Sequence, residues 1–250
     1  MEKIKITFLG TNGWYDTKTG NTICVLIDCT DYYIVLDAGN GFGKLDRHID
    51  QNKPVYIFLS HFHLDHIIGL HTLAKFRFKK KLYIIGQKGT RNILKIFLNW
   101  PFTLPRKNLK FKSEIIEVPK ELNKLPFKAR VLPMLHASPT LGIRLEIENK
   151  AITYCPDTGY CENAVKLSKN ADLLIAECAY TLDFNIKNWP HLNPETAARI
   201  AKKSGAKKLI LTHFDAGKYP DFKSRKDAES IARKIFSETI ASRDGMKKEI

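Results

Sequence analysis

Long apolar runs are missing from this sequence of 250 residues. No stretch approaches the roughly 20 consecutive apolar residues that a bilayer-spanning helix requires. The N-terminal residues alternate in the manner of a strand and lack the apolar core of a signal peptide. We therefore expect a cytoplasmic protein with no membrane partner. Apolar residues still make up 44% of the chain, which excludes disorder as a description of the whole.

Cysteine is scarce and scattered. The five cysteines are Cys24, Cys29, Cys155, Cys161 and Cys178. Their number is odd, and no two of them have the two-residue spacing of a zinc knuckle or ribbon. A cysteine-based zinc site is therefore not predicted. Reduced, mostly buried thiols are the expectation for a cytosolic chain.

Acidic residues are few compared with basic ones. The chain has 26 Asp and Glu against 41 Lys and Arg, a formal net charge of +15. Residues 75–112 carry 12 of these cations, no acidic residue and several aromatic residues. Cations interleaved with aromatic rings suit a nucleic-acid strand, and we predict a nucleic-acid patch that includes Lys79, Lys80 and Lys81. The alternative is a solvated basic face over buried aromatic rings.

Two groups of strands are predicted by short runs of β-branched and aromatic residues. The first group covers 4–9, 23–28, 33–36, 55–59 and 82–85, and the second covers 115–118, 128–134, 141–147, 151–154, 173–176 and 209–211. Helices are predicted at 42–49, 67–76, 90–99, 163–168 and 194–204, and over most of 221–242. Since no Pro/Gly/Ser-rich linker separates the halves, we expect one α+β domain over residues 1–250 with two packed sheets and outer helices.

Three histidines and an aspartate lie within six residues, directly after the apolar run 55–59. They are His61, His63, Asp65 and His66. In an extended segment, His61 and His63 point to the same side. Imidazole nitrogens and carboxylate oxygens are ligands that Zn²⁺ prefers. Four such groups exceed what one ion takes from one loop, so the segment predicts two metal ions.

Further ligands are available at the ends of later strands. His136, Asp157 and His213 each follow an apolar run that predicts a strand. Sheets commonly present site residues at this edge. With the histidine-rich loop, these three residues complete two sites of three or four ligands each.

The order of these motifs resembles that of the metallo-β-lactamase-fold hydrolases. The resemblance implies a four-layer αββα sandwich with a dinuclear metal site. It implies that His61, His63 and His136 bind one ion, that Asp65, His66 and His213 bind the second, and that Asp157 bridges them. It also implies that the carboxylate of Asp37 orients either the histidine-rich loop or one of the ligating imidazoles. The imidazole of His63 favours zinc, although Mn²⁺, Fe²⁺ or Co²⁺ can occupy the same ligands.

Residues 174–180 and 191–214 are similar to the RNase Z-like branch, which cleaves phosphodiesters. In that branch a glutamate holds a histidine that donates a proton to the leaving oxygen, and Glu177 and His191 are the matching positions. The resemblance implies a metal-bridging hydroxide as nucleophile, which Asp65 orients or deprotonates. Lys218 stands near an arginine position of the branch and is predicted to contact phosphate. The expected substrate is RNA, a cyclic nucleotide or another phosphodiester.

The most telling of the departures from that branch is the spacing between two of the motifs. His136 and Asp157 are only 21 positions apart, which leaves no room for the long tRNA-gripping arm, so classical tRNA end processing is not expected. Two other functions remain open at this point. One is hydrolysis of lactones, thioesters or other carbon esters at the same metal site, and the other is non-catalytic binding of a polyanion. Oligomeric state, a homodimer included, also stays open.

Overall fold

The computed structural model describes residues 4–184 and 186–250. The strands are β1 (Lys5–Gly10), β2 (Asn12–Gly13), β3 (Cys24–Asp28), β4 (Tyr33–Leu36), β5 (Val55–Phe58), β6 (Leu82–Gln87), β7 (Ser113–Val118), β8 (Lys128–Pro133), β9 (Leu141–Ile147), β10 (Lys150–Cys155), β11 (Leu173–Glu177), β12 (Leu209–Thr212), β13 (Phe214–Asp215), β14 (Thr239–Ala241) and β15 (Lys247–Glu249). The α-helices are α1 (Leu64–Ile67), α2 (Thr90–Phe97), α3 (Glu162–Leu167), α4 (Pro194–Ser204) and α5 (Phe222–Arg233). Short 3₁₀ helices cover Asn40–Arg47, Ile68–Lys75, Arg106–Asn108 and Leu122–Lys124.

Two large mixed sheets carry the loops of interest. One has the strand order β15-β1-β3-β4-β5-β6-β7, the other has the order β14-β12-β11-β10-β9-β8, and β13 pairs with β2 separately. Strands β4 to β7 run parallel to one another, as do β10, β11, β12 and β14. Because carboxyl ends of parallel strands meet at the same edge, the loops that follow them are brought together there.

Continuous apolar runs form the central strands because both faces of each sheet are covered. Tyr56 and Phe58 of β5 belong to the core between the sheets, together with Ile175 of β11. Ile57 points the other way, into a second core beneath α2 and the 3₁₀ helices. Leu174 likewise joins a third core beneath α3, α4 and α5. The order of layers is therefore helix, sheet, sheet, helix, which confirms the predicted αββα sandwich.

Helix α4 begins and ends at the residues that its capping signals predict. The Asn193 side chain accepts a hydrogen bond from the backbone N–H of Thr196, and Pro194 occupies the first turn. Gly205 closes the helix in the left-handed conformation at φ 69°, which a residue without a Cβ adopts readily. The N-terminal cap defines where α4 begins and thereby positions the segment just before it.

The prediction of a mostly helical segment over 221–242 was wrong in its second half. Helix α5 ends at Arg233, and Thr239–Ala241 forms strand β14, parallel to β12. A short β-branched run gains more by extending the open edge of a sheet than by prolonging a solvated helix. The predicted helix 67–76 is instead the 3₁₀ helix Ile68–Lys75, which directly follows the single turn of α1. Within residues 4–184 and 186–250, no helix has the length and apolar composition needed to cross a bilayer.

The core between the sheets is expected to dominate stability. Ile175→Ala removes a side chain that is fully buried there, so we expect a loss of roughly 2–5 kcal/mol in the free energy of unfolding. Urea denaturation followed by circular dichroism measures it. The matched control is Ile96→Ala, because Ile96 on α2 is 63% exposed, and its effect should stay within about 0.5 kcal/mol. Equal effects of the two substitutions would contradict the packing described here.

Candidate metal centre

The predicted ligands all lie at the carboxyl ends of strands. His61 and His63 follow β5, and Asp65 and His66 lie in the single turn of α1. His136 follows β8, Asp157 follows β10, and His213 separates β12 from β13. Strands of both sheets therefore deliver side chains to one place, as the sequence pattern predicted.

Two clusters of potential ligand atoms result. One contains His61, His63, His136 and Asp157, and the other contains Asp65, His66 and His213. Within each cluster the ligand atoms lie within 4.8 Å of one another, a spacing at which a single ion can contact them all. The structure thus brings together all seven residues that the family resemblance implied.

Asp157 faces both clusters. Its Oδ1 lies 3.2 Å from Nε2 of His66 and 3.2 Å from Nε2 of His213. Its Oδ2 lies 3.8 Å from Nε2 of His61 and 3.8 Å from Nε2 of His136. One carboxylate oxygen is therefore directed at each group of imidazoles, which is the arrangement that a bridging ligand needs.

The donor set fits metal ions because three of its inward atoms lack hydrogen-bond partners. Nε2 of His61, Nε2 of His136 and Oδ1 of Asp157 are buried without a hydrogen bond. The outward nitrogens of these two imidazoles are satisfied: Nδ1 of His61 lies 3.0 Å from Ser60 Oγ, and Nδ1 of His136 lies 3.4 Å from the Pro190 carbonyl oxygen. Outer partners of this kind fix the tautomer of an imidazole ligand. Such buried polar atoms are costly unless a cation engages them.

Electrostatics favour a cation at this place. Burial lowers the pKa of His61 well below its ordinary value and also lowers those of His63 and His136. These imidazoles are therefore neutral near pH 7, the form that binds metal. Burial opposes charge on His66 as well. The carboxylate of Asp157 and two further carboxylates close to His66 nevertheless raise the pKa of His66 well above its usual value. A field that retains a proton also attracts a metal ion.

Asp37 has the supporting position that the resemblance implied. It is fully buried, and its Oδ2 lies 2.8 Å from Nδ1 of His66. The same carboxylate accepts hydrogen bonds from the Ser60 N–H and hydroxyl, each at 2.8 Å, and from the Tyr154 hydroxyl at 2.7 Å. Sequence reasoning missed Ser60 and Tyr154. Ser60 immediately precedes His61, which was the signal available for it, whereas only the folded chain brings Tyr154 into contact.

A carboxylate–imidazole pair lies beside the two clusters. Glu177 is fully buried, and its Oε1 lies 2.7 Å from Nδ1 of His191. The same glutamate also accepts hydrogen bonds from three backbone N–H groups. Burial by itself lowers the pKa of His191, but the charge and hydrogen bond of Glu177 outweigh it and raise the pKa to about 9. With Nδ1 held by the carboxylate, Nε2 is the nitrogen that remains for a ligand.

An open cavity of about 480 Å³ lies over this centre. Residues of both clusters line it, as do His191 and Lys218. Lys218 Nζ lies 3.3 Å from Asp215 Oδ2. Two tryptophans, Trp14 and Trp189, also line the cavity, and sequence reasoning assigned neither a role. Only weak indications in the sequence placed them at the site: Trp189 stands two residues before His191, and Trp14 lies in the first loop.

Residues 32–214 match the protein family described as "Beta-lactamase superfamily domain". The match covers well over half of the chain. The chain belongs to this superfamily.

Known relatives agree with this assignment. A probable metallo-hydrolase of Bacillus subtilis, YhfI, is 26% identical over 243 residues, covering 94% of each chain. Its crystal structure superposes with a TM-score of 0.81 over the full length of both chains, at 25% identity. A ribonuclease Z of Methanosarcina acetivorans is 27% identical, covering 99% of this chain and 98% of its own. Together with the histidine and aspartate clusters, these matches show a metal-dependent hydrolase of the metallo-β-lactamase fold.

The predicted basic patch lies away from the candidate metal centre. Lys79, Lys80 and Lys81 are exposed and precede Leu82, which pairs with Val55 at the start of β5. The histidine-rich loop follows the opposite end of β5. The register therefore separates these three lysines from the cavity, and their binding of nucleic acid stays a prediction.

The aromatic residues among those cations are divided between interior and surface. Phe76 and Phe78 are buried beneath the first sheet, so their rings cannot stack on a nucleic-acid base, and that part of the expectation was wrong. Trp100 and Phe102 are 70% and 63% exposed. The alternation of cations and aromatic residues in the sequence did not predict which rings would be buried and which exposed, because it does not show which side chains face the core.

The second cluster depends on a close approach of two backbones. His213 has the left-handed φ of 53°, an unusual value for a residue with a side chain. A Cβ added to Gly13 would lie 2.5 Å from Cε1 of the His213 ring. Only glycine therefore lets β2 lie beside β13 while the imidazole keeps its place.

Gly13→Ala is expected to displace the His213 ring and lower the amount of metal retained per chain. Inductively coupled plasma mass spectrometry after reconstitution and desalting measures this. Gly43→Ala is the matched control, because nothing lies within 4 Å of a Cβ added there. Wild-type metal content in Gly13→Ala would show that His213 does not hold an ion.

Proposed function

We propose that this chain hydrolyses phosphodiesters at a centre of two divalent metal ions. His61, His63 and His136 would hold one ion, Asp65, His66 and His213 the other, and Asp157 both. When bound, such an ion pair supplies Lewis acidity and lowers the pKa of the water that it holds.

Zinc is the proposed native metal. The donor atoms are imidazole nitrogens and carboxylate oxygens, with no thiolate in either cluster. Such a mixture suits zinc, and the histidine at position 63 enriches the first cluster in imidazole. Metal analysis of protein purified without added metal distinguishes zinc from Mn²⁺ or Fe²⁺.

The Glu177–His191 pair, whose imidazole lines the same cavity, carries the proposal of phosphodiester chemistry. The leaving group of a natural phosphodiester is an alkoxide, which needs a proton as the P–O bond breaks. A protonated imidazole whose Nδ1 is held at 2.7 Å by a buried carboxylate can supply it from Nε2. This pair lies outside both ligand clusters, so it is available for proton transfer.

The protein groups divide the hydrolysis between them. Asp65 would orient the attacking water, while its own Oδ2 accepts a hydrogen bond from the Trp14 N–H at 2.7 Å. The water oxygen forms the new bond to phosphorus, and one proton of that water passes to the carboxylate of Asp65. The ester P–O bond breaks, and His191 gives its proton to the departing oxygen. Proton exchange with solvent then restores both residues.

The names of several relatives agree with this chemistry. The Methanosarcina acetivorans protein is a ribonuclease Z, and a human tRNase Z shares the fold at a TM-score of 0.75 and 23% identity. By name, both act on RNA. RNA and smaller nucleotides are therefore candidate substrates for this chain, and Lys218 is a candidate phosphate contact.

The activity and the role of His191 can be tested together with two diesters. We expect the metal-loaded protein to hydrolyse both an alkyl phosphodiester and a p-nitrophenyl phosphodiester. His191→Ala should lower kcat for the alkyl leaving group by about 10²-fold or more. It should affect the p-nitrophenyl diester much less, because p-nitrophenolate departs without a proton.

Steady-state kinetics with both substrates measures these effects. Protein that is fully loaded with metal but turns over lactones or thioesters and no diester would overturn the proposal. An equal loss of kcat for both leaving groups would argue against His191 as the proton donor.

The pH profile should show the influence of Glu177. His191 donates only when protonated, so kcat for the alkyl diester should be maintained below its pKa and fall as pH rises through about 9. The p-nitrophenyl diester should lack this alkaline limb. Glu177→Gln removes the charge that raises the pKa and should move the limb to lower pH. Circular dichroism verifies folding of the variant, and an unmoved limb would contradict the assignment.

A further inference from the structure

We propose that the cavity takes a nucleotide with a single phosphodiester, its base lying against the tryptophan rings, rather than a polynucleotide. This inference rests on the proposed phosphodiesterase function and specifies its substrate. Three observations carry it: the placement of the aromatic side chains, the shortage of cations and the size of the cavity.

Each ligand cluster has an exposed tryptophan beside it. The Trp189 ring is stacked on the imidazole of His63, with centroids 5.3 Å apart and planes inclined by 5°. Trp14 is tied to the other cluster, since its backbone N–H donates to Asp65 at 2.7 Å. Their residues are nevertheless 46% and 71% exposed. Large rings that are fixed at one side and open at the other are suited to stacking with a flat ligand.

The segment between β11 and α4 adds further apolar surface. Tyr180, Phe184 and Ile186 line the same cavity, and Tyr180 packs edge-on against Phe184 at a centroid distance of 4.8 Å. Among the described residues, this segment therefore supplies an apolar, largely aromatic wall next to His191. A phosphate held by the metal ions would place its ester substituents against that wall.

Positive charge is scarce at this wall despite the basic sequence. Among the described residues that line the cavity, Lys218 is the only lysine or arginine. Its Nζ is already 3.3 Å from Asp215 Oδ2 and 3.7 Å from the centroid of the Phe184 ring. A protein that binds a polynucleotide draws much of its affinity from lysines and arginines that neutralise several phosphates. One phosphate could be held by the metal ions and Lys218, and the described lining offers no second lysine or arginine for another phosphate.

The dimensions agree with a small ligand. A cavity of about 480 Å³ lies within the range of clefts that bind small molecules. The cation-rich stretch 75–112 contributes no side chain to the lining of the cavity. Lys79, Lys80 and Lys81 precede β6 and lie at the edge opposite to the histidine-rich loop.

The test compares two substrates that share the scissile bond and the leaving group. Thymidine p-nitrophenyl phosphate and methyl p-nitrophenyl phosphate differ only in the group that would contact the wall. With metal-loaded wild-type protein, we expect kcat/KM to be about tenfold or more higher for the nucleoside diester, in line with the strength of base–aromatic stacking. Trp14→Leu and Trp189→Leu keep apolar bulk but remove the flat ring, so each should reduce this ratio.

Trp100→Leu is the matched control, because Trp100 is 70% exposed, comparable to Trp14 at 71%, and does not line the cavity. It should leave the ratio unchanged. Equal kcat/KM for the two substrates would overturn this inference while leaving the phosphodiesterase proposal intact. No turnover of either substrate by metal-loaded protein would instead defeat the underlying function. A single-stranded oligonucleotide that competes far more strongly, per nucleotide, than a dinucleotide would establish a polynucleotide site and also overturn the inference.

Discussion

The interaction on which the site depends is the attraction between buried carboxylates and the imidazoles gathered around them. Asp157 lies 3.2 Å from two of these rings and 3.8 Å from two others. Burial alone would raise the pKa of its carboxyl, yet the surrounding histidines, His213 foremost, hold it well below the usual value. Strands from both sheets must end at one edge for these groups to meet. The αββα layering supplies that edge, and the cores on each side of the sheets keep it rigid.

Hydrogen bonds behind the ligands extend this electrostatic order into the core. Asp37 connects the His66 imidazole to the Tyr154 hydroxyl, so a contact between the sheets also positions a candidate ligand. Glu177 performs a comparable task for His191 by fixing its Nδ1. Both carboxylates are fully buried, where their charge acts with little screening by solvent. The free-energy cost of burying each carboxylate is offset because several hydrogen-bond donors satisfy its oxygens.

The sequence predicted the parts of the fold that rest on local patterns. Apolar runs located the central strands, and the capping residues Asn193 and Gly205 located α4. The candidate ligands could be predicted because they lie in the loops and turns that follow such runs. Strand β14 could not, since a three-residue strand exists only through its pairing with β12. Tyr154, Trp14 and Trp189 were missed for the same physical reason, as their neighbours at the site are distant in the chain.

The short parallel pairing of β2 with β13 has a consequence for the exchange of metal. His213 is held between β12 and β13, and β13 in turn lies against β2, with Asp215 opposite Gly13. A ligand on a free loop can swing away by rotating a few backbone bonds. Here the backbone of His213 is held by strand pairing on both sides, so the release of an ion held by His213, as proposed above, should be coupled to local unfolding. Its removal by a chelator should then be governed by the rate of that opening rather than by the affinity of the chelator.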